Sequence, residues 1–261
     1  AIGPPLIFGF EGFEGMGLTG AALAFVIARG ISFVMYGYYV AKDRLLVWSF
    51  GGFISSSRAI LHVGLPAIAA NLISPISLTV ITRLLAGHGA AVVAGFSVAS
   101  RIETMLAMVM WALSMSVAPF VGQNWGAGLF ERVQRALRVA NIFALSWGLF
   151  AFACLYWLGP RLIALVNDDP EVIEAASVYL LIIPLGMGLM GVVANSTSSF
   201  NALGMPGPPL VISLLQMLFL SVPLALVGNY LFGYRGIFIG SVVGISVTAL
   251  VAFVWLRLTL R

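Results

Sequence analysis

The sequence predicts an all-α, polytopic membrane protein: a bundle of apolar helices with no soluble domain. Three observations carry this. Hydrophobic residues make up 61% of the chain and charged residues only 8%, whereas soluble domains carry about 25% charged residues. Mean hydropathy is +1.07. Apolar runs long enough to cross a bilayer, at about 1.5 Å per residue, recur along the whole chain.

The opening residues, Ala1 to Gly9, read as the tail of a span begun earlier. With no initiator Met and no charged leading region, a signal peptide is not expected, and the chain reads as a fragment. Seven full spans follow, at about 18–41, 60–86, 91–120, 137–158, 173–203, 209–230 and 235–257. Pro66, Pro75, Pro184 and Pro223 fall inside apolar runs, where each removes a backbone donor and bends the helix. Asp169 is the expected N-cap of the fifth span, with Pro170 at its first helical position and Glu171 and Glu174 near the positive dipole end. Trp48, Trp157, Tyr230, Tyr234 and Trp255 suit an interfacial aromatic belt.

Charge sets the orientation. Lys42, Arg44, Arg58, Arg132, Arg135, Arg138, Arg257 and Arg261 occupy one set of alternate loops. Glu11, Glu14, Asp168, Asp169, Glu171 and Glu174 occupy the other, with only Arg161 and Arg235 basic. Basic loops stay in the cytoplasm, so the C-terminus is expected inside. The same bias explains the pI of about 9.6 without nucleic acid as a partner. The single cysteine, Cys154, excludes an intrachain disulfide. Sequence 42–59, with Gly51-Gly52 and Ser55-Ser56-Ser57, reads as a linker between two helical bundles.

Chemistry centres on Glu103, an acid inside a span. A charge in hydrocarbon costs about 2.5–3.5 kcal/mol on insertion scales, so it is expected to face a cavity or an ion path. Phe96, Ser100, Glu103, Ala107, Met110 and Ser114 share one helical face, a lining suited to apolar cations through charge, cation–π attraction and an adaptable thioether. Two readings stand: a proton or cation site, or a structural charge held by Arg101, Arg29 or Arg83. A second candidate is the stripe Gly188, Gly191, Asn195, Ser198 and Ala202, continued by Asn201. It reads as close helix packing with interhelical hydrogen bonds, or as a wet cavity wall. A third is Asn71, Ser74 and Pro75, a satisfied kink or a hinge. There is no Walker A sequence, no metal-ligand spacing and no Ser, His and acid arrangement, so no enzyme and no cofactor are expected.

Val121-Gly122-Gln123-Asn124-Trp125-Gly126-Ala127-Gly128 resembles the cytoplasmic loop motif of the MATE (multidrug and toxic compound extrusion) transporters. Gly64-Leu65-Pro66, Ala94-Gly95-Phe96, Ala99-Ser100-Arg101-Ile102-Glu103 and Phe200-Asn201-Ala202-Leu203-Gly204-Met205-Pro206 agree in order and spacing, and the likeness covers essentially the whole chain. The resemblance implies a twelve-helix transporter of two six-helix lobes. This chain would carry the end of helix 5 and helix 6 (1–41), a cytoplasmic interlobe linker (42–59) and the C-terminal lobe (60–261). It implies a multi-pass inner-membrane antiporter, monomeric when complete, that exports cationic or amphipathic small molecules in exchange for H⁺ or Na⁺ by alternating access.

Residue by residue, the resemblance leaves Glu103 as the coupling-ion or proton candidate. Asn71, Ser74, Phe96, Ser100, Met110, Asn195, Ser198 and Asn201 are cavity candidates, and Gln123 and Asn124 would shape an inner loop or gate. Some members carry carboxylates in helices 7 and 10. Here Ser74 stands at the first position and helix 10 has none. Other members use an acid in helix 1, outside this chain. The alternatives are a lipid-linked oligosaccharide flippase of the same superfamily, whose pyrophosphate cargo would need Arg29, Arg83 and Arg101, and a non-functional fragment or membrane scaffold.

Overall fold

The computed structural model describes residues 3–10, 13–44 and 51–260, apart from the side chains of Phe10, Phe13, Val63, Ala70 and Ser74. Glu11, Trp48, Arg261 and part of the expected linker therefore lie outside the described residues. The chain forms two compact units, Ala1–Ser55 and Ser56–Arg261.

The first unit holds α1 (Gly3–Phe8), a two-residue antiparallel pair of β1 (Gly9–Phe10) and β2 (Phe13–Glu14), and α2 (Gly17–Lys42). The strand pair is a local departure from an otherwise all-helical chain. The turn back into α2 is tied by the Met16 amide, which donates to the Leu6 carbonyl at 2.9 Å.

The second unit is a helical bundle. α3 (Phe53–Ala86) starts before the expected span and takes in the last part of the presumed linker. The Gly-Ser cluster misleads there for a physical reason. Gly51 and Gly52 form the turn before the helix, Gly52 at φ 81°, and the Ser55 hydroxyl folds back onto the Gly52 carbonyl at 2.8 Å inside the first turn. α4 (Ala90–Gly126) and α5 (Phe130–Ala164) follow. The next span is α6 (Pro170–Ile182), a 3-10 turn (Ile183–Gly186) and α7 (Met187–Ala202). Asp169 caps α6 as expected, its carboxylate accepting from the Glu171 amide at 2.9 Å.

The last two spans are α8 (Gly207–Leu214), a π-helical segment (Leu215–Ser221) and α9 (Val222–Thr259). α9 is bent back on itself at Phe232 and Gly233, where Gly233 takes φ 60°, a left-handed conformation that favours glycine. The two arms pack antiparallel. A methyl group on Gly236 would strike the Gly228 carbonyl, and one on Gly244 would meet the Ser221 amide at 3.2 Å. Small residues here let the two backbones touch, the usual device for helix association in lipid. Six helices long and apolar enough to span are present among the described residues, and this reversal divides the last into two, in agreement with seven crossings.

Glycine also stops helices. Gly128 at φ 72° follows α4, with Leu129 N bonded to Asn124 O at 2.8 Å and Gly128 N to Trp125 O at 2.9 Å. Gly204 at φ 72° follows α7, with Met205 N bonded to Phe200 O at 2.9 Å and Gly204 N to Asn201 O at 3.0 Å. Both are Schellman motifs, which satisfy the last free carbonyls of a helix. The two loop motifs of the sequence are thus helix stops in matching form, and they end close together: a methyl group on Gly122 would meet the Ala202 carbonyl at 3.4 Å.

Two apolar clusters form the core. One gathers Leu85, Leu155, Tyr179, Leu180, Ile237 and Phe238. The other gathers Val121, Val133, Leu137, Phe200, Ile212 and Leu256 towards the opposite end. The end near Leu85 is closed by polar contacts. His88 Nε2 meets Asn229 Oδ1 at 2.5 Å, and Arg235 donates to Glu174 Oε1 at 3.2 Å. At the opposite end, which carries Arg132, Arg135, Arg138 and Arg257, the Gln134 amide donates to the Leu260 carbonyl at 2.9 Å. Trp255 packs on Phe200, with ring centroids 5.9 Å apart, rather than standing free as a belt residue.

Candidate substrate and ion cavity

A cavity of about 780 Å³ lies among α3, α4, α6, α7, the π-helical segment and α9. Its walls coincide in part with breaks in regular α-helix. Ile183 and Gly186 come from the 3-10 turn and Gln216 and Met217 from the π-helical segment, while Ile73 and Ser77 flank Pro75 within the continuous helix α3. Pro184, in the 3-10 turn, has no N–H to give to the preceding turn. Irregular backbone at membrane depth is tolerated where it is buried in protein or lines a cavity.

Glu103 lies on the cavity wall about 20 Å along α4 from Ala90. It is only 9% exposed. Its partner is the Tyr179 hydroxyl, which donates to Oε2 in a short hydrogen bond, while Oε1 has no protein partner among the described residues. Tyr179 is itself held by aromatic edges: its ring lies 5.4 Å from Phe96 and 5.1 Å from Phe238, both T-shaped. The carboxylate is therefore carried by α4 and oriented from α6. No arginine takes part. Arg101 lines the cavity but makes no ion pair or hydrogen bond among the described residues, where Arg235–Glu174 is the one salt bridge. Arg83 is exposed and off the lining, and Arg29 lies over the Phe25 ring at 5.0 Å in the first unit.

Of the residues singled out from the sequence, Phe96, Ser100 and Glu103 line this cavity together. Met110 does not. It is buried against the α7 backbone, where a methyl group on Gly191 would meet its sulfur at 2.6 Å. Asn71 is exposed and folds its amide onto the Ala67 carbonyl at 2.8 Å. The side chain of Ser74 lies outside the described residues.

Asn195 and Ser198 sit in a packed seam away from the cavity. Asn195 Nδ2 donates to Asn141 Oδ1 at 3.1 Å. The Ser114 hydroxyl donates to Ala194 O at 2.9 Å and meets Ser198 Oγ at 2.7 Å, so Ser198 is the donor of that second bond. Gly148 and Gly188 bring α5 and α7 into backbone contact in the same seam. The small stripe of α7 thus packs helices, and the Oδ1 atoms of Asn195 and Asn201 are buried without a partner among the described residues. Gln123 is exposed, whereas Asn124 is buried and donates to Phe120 O at 2.8 Å inside the Schellman turn.

Residues not anticipated from the sequence complete the wall: Tyr179, Trp111, Gln216 and the hydroxyls of Ser77, Thr82, Thr104 and Ser213. Tyr179 had a signal. It lies inside an apolar run, and a buried Tyr hydroxyl usually finds a partner. Two of these hydroxyls are tied to their own helix, Thr104 to Ser100 O at 2.6 Å and Thr82 to Leu78 O at 2.8 Å.

Fold and cavity together define a polytopic helical membrane protein with an acid on the wall of a chamber inside the helical bundle. The MatE family model matches residues 66–227, and the chain belongs to that family. It is 33% identical over 238 residues to a protein of Shewanella oneidensis named FAD transporter, covering 90% of this chain and 53% of that one. It is 25% identical over 245 residues to the probable multidrug resistance protein NorM of Thermotoga maritima, covering 92% and 53%. The crystal structure of the Vibrio cholerae MATE transporter VcmN in the bent form superposes with a TM-score of 0.87 at 29% identity, covering 100% of this chain and 59% of that one. The chain spans about half the length of the curated relatives it matches. These relatives are transporters, not enzymes.

Proposed function

We propose that this chain supplies the cavity-bearing half of a secondary antiporter that exports cationic or amphipathic small molecules in exchange for a coupling ion. One observation carries the reading: a buried carboxylate, Glu103, on the wall of a chamber of about 780 Å³, with one oxygen held by Tyr179 and the other without a partner among the described residues. Phe96 and Trp111 add aromatic faces for an organic cation. Substrate and coupling ion would compete for the single carboxylate. Binding of the ion from outside releases substrate, and loss of the ion inside readmits it. The free oxygen can take H⁺, which needs one ligand atom, and Na⁺, which needs several, would draw on the oxygens of neighbouring hydroxyls such as Thr104 and Ser100. Basic residues at one end of the bundle support a cytoplasmic C-terminus in the inner membrane.

A second reading rests on Arg101, a cation on the same wall with no partner among the described residues. With a relative named FAD transporter, it supports an anionic aromatic substrate. The flippase reading has less behind it, since Arg83 is off the lining.

The test expresses the gene encoding this chain in cells lacking their main efflux pumps and follows ethidium and flavin export. Ethidium export lost in Glu103→Gln at equal membrane levels is the expected result. Normal ethidium export by Glu103→Gln would remove the acid from the mechanism. Flavin export that fails in Arg101→Gln would select the second reading.

A further inference from the structure

A second cavity, of about 430 Å³, opens between α5 and α9 at the end of the bundle rich in arginine. Its composition is divided. Arg138 and Arg257 line it together with Gln134 and Asn141, and the rest of the wall is apolar, including Ile142, Leu145 and Phe253. The two arginines come from different helices, and neither makes a hydrogen bond or ion pair among the described residues, where Arg235–Glu174 is the one salt bridge. The floor is braced by the Gln134 amide on the Leu260 carbonyl at 2.9 Å. Asn141 is 8% exposed with its Oδ1 already accepting from Asn195, which leaves its Nδ2 as a donor. The apolar wall faces outward: Ile142 is 58%, Leu145 47% and Phe253 40% exposed.

From this juxtaposition we infer that the α5–α9 groove binds an anionic glycerophospholipid. Its phosphate would be clamped by Arg138 and Arg257, and its acyl chains would lie along Ile142, Leu145 and Phe253. Charge complementarity selects the occupant. Guanidinium groups match phosphate oxygens in a bidentate fork, and basic pockets between membrane helices at the charged face receive lipid head groups. A soluble anion would leave the apolar half of the groove unused, and a neutral lipid would leave both arginines unpaired. The bland alternative is that both arginines only reach for the interface, as basic residues near helix ends do. It predicts no difference between them and Arg132 or Arg135, which lie at the same end outside the groove.

The experiment is native mass spectrometry of the purified chain in detergent, titrated with phosphatidylglycerol or phosphatidylcholine. It compares wild type, Arg138→Gln/Arg257→Gln and the charge-matched control Arg132→Gln/Arg135→Gln, each checked by size exclusion. Each basic contact near an anionic head group is worth about a factor of five. Wild type and control should therefore retain phosphatidylglycerol about 25-fold better than the groove variant, with no such gap for phosphatidylcholine. Equal loss in the control, or equal retention of the two lipids by wild type, overturns the proposal. Displacement of phosphatidylglycerol by millimolar inorganic phosphate also overturns it, because the groove would then be a site for soluble phosphates. If the groove variant misfolds, Ile142→Asp replaces it. That substitution adds a negative charge to the apolar wall, and undiminished phosphatidylglycerol binding would equally sink the idea.

Discussion

The Tyr179 hydroxyl reaches across from α6 to donate to Oε2 of Glu103 on α4, so the acid inside the bundle is held by a neutral donor and not by an arginine. A cationic partner would neutralise the carboxylate permanently. A phenol satisfies one oxygen and leaves the group free to bind a proton or an organic cation. Tyr179→Phe is therefore expected to strip a buried acid of its partner, at a cost of about 1–3 kcal/mol. Thermal unfolding in detergent reads this directly. Glu103→Gln keeps an acceptor for the hydroxyl and should lose less. Equal losses in the two variants would argue against the hydrogen bond as the holding contact.

The reversal in α9 makes a sharper steric prediction. Gly236→Ala places a methyl group against the Gly228 carbonyl, which is backbone and cannot swing aside. A loss of about 3 kcal/mol or failure to fold is expected. Gly126→Ala, where a new methyl group meets nothing within 4 Å, should be neutral or slightly stabilising, since Ala outranks Gly in a helix by about 0.5–1 kcal/mol. Comparable melting temperatures for the two variants would contradict the hairpin packing.

Asn141 and Asn195 join α5 to α7 across the packed seam. A double-mutant cycle with Asn141→Ala and Asn195→Ala should give a coupling of about 0.6 kcal/mol, the average for hydrogen bonds between membrane helices, and no more than about 1.7 kcal/mol. Additive losses would mean that the two amides act independently. If both variants export normally while Glu103→Gln does not, the seam is structural and the chamber is the functional site.

The orientation is checked with single thiols. In a Cys154→Ala background, a cysteine replacing Asp168 should react in intact cells with a membrane-impermeant maleimide, and one replacing Glu131 should react only after permeabilisation. The reverse pattern would invert the orientation drawn from the basic loops.

Much of the bundle was legible in the linear chain. The break between the last two spans, the Asp169 cap and the Pro184 interruption are local events, written within a few residues of where they act. Phe53–Ala59, inside the stretch read as a linker, is helical: glycine and serine signal a loop on average, whereas here Gly51 and Gly52 make the turn and the three serines lie inside α3. The cavity was half legible. Phe96, Ser100 and Glu103 share a face of α4 and were found from helical spacing alone. Met110 lies on that same face but meets Gly191 of α7, a neighbour that spacing along one helix does not reveal.

A bilayer obliges each span to satisfy its own backbone polar groups within the segment. Class, crossings and helix stops therefore follow from short windows of residues, which can be read without knowing what packs beside them. The pairing of polar side chains obeys no such local rule. Glu103 and Tyr179 are 76 residues apart, and Asn141 and Asn195 are 54 apart. Each pair exists only because small residues such as Gly95, against α6, and Gly148, against α7, bring particular helix faces within reach. Tertiary packing alone decided that the acid of α4 faces a chamber and that the polar stripe of α7 became a seam.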